Sequence, residues 1–374
     1  MMKIPVEGVY ISWPFCAQKC TYCNFASGVL PRELEGRYLD ALLREISLHT
    51  SAWAPDTVYL GGGTPSAMET DHLNRLLNTL SGTLKENQWR EATIEAAPGS
   101  IAASRVDAWL RAGINRVSLG VQSFIRQELA RTGRKHTAET VAQDVAMLRA
   151  HGISNINIDL IAGLPGQTEA SWAESLAAAI SLDPPHVSVY MLEVDDDSRL
   201  GAEILLGGKR YGATDVPSDD RIADFYEAAV DRLRAHGIHR YEISNFARLG
   251  AESMHNLKYW NREPYAGFGA DAHSFDGVSR WQNVESAQDY VTRSERSESV
   301  RCDETLPDPG EEKFFVGLRL SEGVHADEAD WLRFGPAFEY FLSTGVLERA
   351  NGNLRLTPRG VMVSNEVFQE FVGT

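Results

Sequence analysis

Long apolar runs, an excess of basic charge and a spread of cysteines are all missing from this chain of 374 residues. No stretch approaches the roughly 20 apolar residues that a membrane-spanning helix requires. Met1-Met2-Lys3-Ile4-Pro5 lacks the apolar core of a secretory leader, so a cytoplasmic location is expected. Lys and Arg number 36 against 52 Asp and Glu, a formal charge of −16. That balance argues against nucleic acid as a partner, because sequence-independent binding needs a cationic footprint along the phosphates. Only four cysteines occur, and three of them crowd into residues 16–23. A disulfide framework would spread its cysteines, so thiols crowded this way in a reducing compartment point to metal.

What is present reads as an ordinary globular protein. Six short β-rich runs mark the first part of the chain: Val9–Trp13, Thr57–Gly61, Thr93–Ala96, Arg116–Val121, Asn155–Ile161 and His186–Leu192. Helical patterns lie between them, such as Leu39, Leu42, Leu43 and Ile46 on one face. Ser171 and Glu174 have the spacing of a capping box. Arg111-Ala-Gly-Ile, Arg149-Ala-His-Gly-Ile and Arg234-Ala-His-Gly-Ile each place a cation in a last helical turn, then Gly, then a strand. Alternation of this kind predicts an incomplete parallel (β/α)6 TIM-like barrel over residues 1–240. A helical linker region over 241–310 and a small winged-helix-like α+β domain over 311–374 complete the expected α/β architecture. In the last region the expected elements are a helix near Lys313–Leu320, a hairpin turning at Asn351-Gly352 and a helix after Pro358. A wing suggests DNA, but residues 311–374 carry six Lys and Arg against ten Asp and Glu, which disfavours it.

Cys16-Ala-Gln-Lys-Cys20-Thr-Tyr-Cys23 sets three thiolates on one loop after the first strand. Three thiolates can hold three corners of a cubane and leave the fourth iron open. Structural zinc prefers a closed set of four, which Cys302 or a histidine could complete. Gly61-Gly62-Gly63-Thr64-Pro65 follows the second strand, where backbone without side chains can approach a ligand closely or simply turn. Glu95, Gln122, Arg134 and Asp159 recur near the C-terminal ends of successive strands, where a barrel carries its chemistry.

The C-x3-C-x2-C spacing with Tyr22 before the last Cys resembles the radical S-adenosylmethionine (SAM) superfamily. That likeness implies a [4Fe–4S] cluster on Cys16, Cys20 and Cys23, with SAM on the open iron. Tyr10–Phe25, Tyr59–Pro65, Ser118–Phe124, Asn157–Thr168 and Glu311–Leu320 are together similar to the oxygen-independent coproporphyrinogen dehydrogenase group. By that resemblance Tyr10, Gly62 and Glu95 contact one SAM, while Tyr22, Gly63, Thr64, Gln122, Arg134 and Asp159 match positions that contact a second. The group's Glu-x-Asn-Pro phrase stands here as Glu95-Ala96-Ala97-Pro98. Two departures separate the chain from the dehydrogenase: Phe25 occupies the position of an additional Cys, and only fifteen residues precede Cys16. Both traits resemble the HemW-type haem chaperones, whose H-N-x-x-Y-W motif is matched by His255, Asn256, Tyr259 and Trp260. The resemblance implies haem binding through that motif and transfer to an acceptor protein. Imidazole ligates haem iron, and the two aromatics offer flat apolar surface; a lone His beside aromatics also serves as an ordinary core residue. His273 is a second candidate ligand, or part of a structural turn. The rival expectation is oxidative decarboxylation of coproporphyrinogen III. The oligomeric state is left open, a homodimer included.

Overall fold

In a computed structural model, residues 8–49, 55–82 and 89–373 are described. Residues 1–7, on which the reading of the N-terminus rested, lie outside them. Six strands run parallel in chain order: β1 (Gly8–Trp13), β2 (Thr57–Gly62), β3 (Glu91–Ala96), β4 (Arg116–Gln122), β5 (Asn155–Ala162) and β6 (His186–Met191). Each expected strand is present, with ends shifted by no more than two residues. Helices separate them and cover the outer wall, the arrangement that parallel pairing imposes.

Period-2 alternation sorts the two faces of this wall. On one face, Val9, Val58, Ile94, Val117, Ile158 and Val187 turn outward and are completely buried beneath the helices. Each such side chain contributes about 2 kcal/mol of hydrophobic stabilisation. The alternate positions face the lumen and are almost all polar or aromatic: Tyr10, Tyr59, Thr93, Glu95, Ser118, Asn157, Asp159 and Ser188 among them. A polar lumen is not what a packed barrel core requires; it is a place for ligands or for an internal hydrogen-bond network.

The barrel does not close. Beyond β6 the sheet continues antiparallel through β8 (Asn245–Ala247) to β7 (His239–Arg240). On the other side β1 pairs in parallel with β9 (Tyr265–Phe268), followed by β10 (His273–Phe275), β11 (Arg280–Asn283) and β12 (Arg301–Thr305). Residues 241–310, expected as a helical linker, therefore extend the sheet at both edges. Their strands are three to five residues long, too short to show a period.

The three Arg-Ala…Gly-Ile joints end helices as expected, with Gly113, Gly152 and Gly237 at positive φ just past the last turn. The capping box sits one turn earlier than expected: Thr168 and Ser171 cap each other's backbone at the start of Glu169–Ser181. Between β6 and the helix Asp219–Ala235 lies a short helix, Arg199–Leu205, capped by Ser198. The C-terminal region has helices Pro309–Phe315 and Glu328–Ser343, then the hairpin β13 (Leu347–Ala350) and β14 (Asn353–Leu356). The helix expected over Lys313–Leu320 ends at Phe315 and passes into a tight turn of 3-10 helix. Two short helices, Pro358–Met362 and Ser364–Gln369, replace the single final one. Phe314, Phe334, Phe338 and Phe371 form the centre of this region. The Arg280–Glu312 ion pair and the Arg262 Nη1 bond to Pro309 O (2.8 Å) attach it to the sheet.

Candidate functional site

Cys16, Cys20 and Cys23 lie on the loop that leaves the C-terminal end of β1. Four backbone bonds hold this loop: Cys16 N–H to Gly28 O (2.9 Å), Gly28 N–H to Pro14 O (2.9 Å), Thr21 N–H to Thr132 O (3.2 Å) and Cys23 N–H to Cys20 O (3.3 Å). All three thiols are free and half-buried. Burial pushes the Cys16 thiol up, the Ser27 and Thr64 hydroxyls draw it back, and the neighbouring Cys23 and Cys20 raise it again. Bound iron would reverse that balance, since a coordinating thiol is deprotonated outright. Among the described residues no three His, Cys, Asp or Glu side chains stand together as a finished metal cage. The donor set still suits an iron–sulfur cluster: three soft thiols on one eight-residue segment. Cys302, on β12, lines the far side of a groove of about 830 Å³ whose near side includes Asn24–Gly28. Phe25 projects there, two-thirds exposed.

The triple glycine packs against this loop. Gly63 N–H donates to Trp13 O (2.8 Å) and Thr64 N–H to Phe15 O (2.9 Å). A Cβ on Gly63 would stand 2.7 Å from Phe15 O, so here the missing side chain admits the protein's own backbone. Gly62 has φ of +103° and donates its N–H to Glu95. Any side chain at Gly62 would be strained whether or not a ligand binds.

Below this loop Gln122 and Arg134 flank Gly120. Gln122 sits at φ 69°, and its Oε1 is buried without a partner; so is Arg134 Nε. Arg134 Nη1 donates to Gly120 O (2.6 Å), and the guanidinium lies against Tyr22 and Cys20. A buried acceptor and a buried donor left open side by side are groups a polar ligand would satisfy. Further into the lumen, Tyr59 donates its hydroxyl to Glu95 (3.0 Å), and Tyr10 stacks on Tyr59 with centroids 6.1 Å apart. Burial, then repulsion from Asp159, pushes the Glu95 carboxyl up to about 7. Asp159 is also raised by burial, though Ser118 (3.0 Å) and Asn157 (2.7 Å) donate to it. Tyr59, Ser118 and Asn157 were not singled out in the sequence; their lumen-facing positions in the strands were the available signal.

His255, Asn256, Tyr259 and Trp260 occupy the opposite end. Their helix, Met254–Trp260, lies beneath the N-terminal ends of the strands. Glu91, the first residue of β3, accepts from Ser253 Oγ (3.1 Å), Met254 N–H (3.0 Å) and His255 N–H (2.9 Å). Ser253 Oγ caps Asn256 N–H, and the Asn256 side chain is half-buried. The His255 ring is 1% exposed, bonded at Nδ1 to Thr57 Oγ1 (2.9 Å) and at Nε2 to Tyr259 Oη (2.7 Å), and stacked on Tyr59. Burial and the Lys258 charge push its pKa down to about 3. Trp260 lies under the Arg319 guanidinium, 4.3 Å from its ring centre. The six residues of β1 rise about 3.3 Å each, so roughly 16 Å of barrel separates this floor from the cysteine loop. His255 is thus built into the base of the barrel and not outside its core, as its place after the sixth strand suggested. The His273 side chain is exposed at the start of β10.

Residues 10–179 match the family model of the radical SAM superfamily, and 305–363 match the HemN C-terminal domain. Coproporphyrinogen III oxidase (HemN) from Escherichia coli, described as a radical SAM enzyme, superposes with a TM-score of 0.84. It is 21% identical, covers 99% of this chain and 91% of its own, and shows the shared fold. The fold and the cysteine loop make this a radical SAM-type protein, a class that implies a [4Fe–4S] cluster and SAM. Heme chaperone HemW of Bacillus subtilis (strain 168) is 34% identical over 98% of this chain and 100% of its own length. HemW of Lactococcus lactis is 32% identical over 100% and 98%. The chain belongs to the HemW heme chaperone family.

Proposed function

We propose that this cytoplasmic protein carries a [4Fe–4S] cluster on Cys16, Cys20 and Cys23, takes up haem and passes it to an acceptor protein. The observation that carries the reading is the end-to-end likeness to HemW relatives, over 98% and 100% of this chain. Held by Cys16, Cys20 and Cys23, the cluster would supply one-electron chemistry to a SAM bound beside it. Tyr10, Gly62 and Glu95 line that site, and Thr64 and the Gly63 backbone border the place of a second ligand. Glu95 accepts ribose hydroxyls, with Tyr59 and Gly62 N–H fixing its carboxylate. Tyr10 forms the lumen wall beside it. Gln122 Oε1, Arg134 Nε and Tyr22 receive the polar groups of a second ligand, with Asp159 behind them. The cysteine loop and the motif helix lie at opposite ends of the barrel, and Tyr59, bonded to Glu95 and stacked on His255, stands between them.

The dehydrogenase reading is favoured by the likeness to HemN, which extends to the fold. Phe25 opposes it: a hydrocarbon ring cannot serve as the thiol that the enzyme group places there. Incubating the reconstituted protein with coproporphyrinogen III, SAM and reductant tests the choice. No protoporphyrinogen should form. Multiple turnovers that depend on Cys16 would establish the enzyme.

A further inference from the structure

If haem is ligated by His255, the reading on which this inference rests, the ligand is shut away in the ligand-free fold. Both ring nitrogens are committed and one face of the ring is covered by Tyr59. A Cβ placed on Gly8 would already stand 3.3 Å from His255 Cε1 and 2.9 Å from Lys258 Cδ. The helix bearing the ring is held at its start by Glu91, along its side by Lys258 to Asp56 (2.9 Å) and Glu263 (3.2 Å), and at its end by the Arg319–Trp260 stack. A seven-residue helix held by side-chain contacts, the Thr57 bond and the Tyr259–Tyr265 packing among them, can swing as a unit far more readily than a strand can leave the wall.

Of these contacts, the Thr57 bond is made to the ring itself by a residue outside the motif. Thr57 is wholly buried at the first position of β2. We infer that Thr57 is a positioning residue that latches the His255 imidazole inside the barrel floor, so that haem uptake requires this bond to open and the helix Met254–Trp260 to turn outward. A ligand that binds only the open arrangement has its apparent affinity reduced by the fraction of molecules that are open. Weakening the latch should therefore tighten haem binding, the opposite of what loss of an ordinary supporting contact does.

The test uses the full-length, cluster-loaded protein, with haem affinity read at the Soret band and amide exchange followed over residues 254–260. Thr57→Val removes the hydroxyl at nearly constant shape; affinity should rise roughly fivefold to tenfold, the worth of one buried hydrogen bond. The 254–260 amides should exchange faster. Thr57→Ser, which keeps the bond, should match wild type in both. In a His255→Ala background, Thr57→Val should give no gain, because the latched group is gone. Unchanged or weaker haem affinity in a folded Thr57→Val protein overturns the latch, as does an equal gain without His255. Should Thr57→Val fail to fold, wild type decides. Haem must strip protection from the 254–260 amides, and added protection there overturns the inference. Absence of haem binding by wild type would sink the chaperone reading itself, a result distinct from binding that ignores Thr57.

Discussion

Replacing His255 by Ala should cost stability before any question of haem arises. The ring is buried, and its removal leaves Thr57 Oγ1 and Tyr259 Oη without their partner and opens a void beneath Tyr59. Orphaned buried hydroxyls and lost packing together amount to about 3 kcal/mol. The cost should shrink in acid. Folding holds this imidazole neutral, with a pKa of about 3 against an unfolded value of 6.5. Below pH 6.5 the unfolded chain takes up a proton that the native state refuses, so wild type loses about 1.4 kcal/mol for each further pH unit. His255→Ala lacks that liability. Urea unfolding of the ligand-free protein should therefore show the substitution costing about 3 kcal/mol at pH 8 and about half that at pH 5.5. A cost below about 1 kcal/mol at pH 8, or one that does not change with pH, would refute the burial and pairing described for this ring.

Three further outcomes follow from the lumen and the cysteine loop. Glu95 has the opposite pH signature. Its pKa is raised from 4.5 to about 7, so its stabilising contribution is full below pH 4.5 and is lost as pH rises through 7. Glu95→Gln should gain about 2 kcal/mol over wild type at pH 8, after allowance for water reaching the lumen, and little at pH 4.5; thermal melts at both pH values check this. Ser at Cys16, Cys20 or Cys23 should abolish anaerobic reconstitution of the cluster while Cys302→Ser leaves it intact, read as iron and sulfide content and visible absorbance. Gly63→Ala forces a methyl group against Phe15 O, so it should lower cluster yield at least severalfold by displacing the loop, with far-UV CD unchanged.

The parallel core was legible because short β-rich segments whose outward positions are apolar, such as Ile156, Ile158 and Leu160, recur between Gly-capped helices. The cysteine site was legible because its ligands are neighbours in the chain. The pairing of β9 with β1 was not: it joins residues more than 250 apart and uses strands too short for a pattern. Nor did the order of residues tell which end of the barrel His255 occupies. One available signal lay in the strand starts. Thr57, Glu91, Arg116, Asn155 and His186 open five successive strands, and such a row of polar residues marks a hydrogen-bonded floor. The glycines after β2 show how a motif can be right in place and different in cause, since Gly63 makes room for the loop's own backbone.

Binding of haem as cargo through the motif helix can be tested on its own. Haem titrated into the reconstituted full-length protein, with the fold of His255→Ala checked by circular dichroism beside it, tests this most directly. Wild type should bind saturably, with His255→Ala showing an altered Soret band and weaker affinity while its cluster absorbance is unchanged. Haem uptake that never saturates, or identical spectra and affinities for the two proteins, would contradict it.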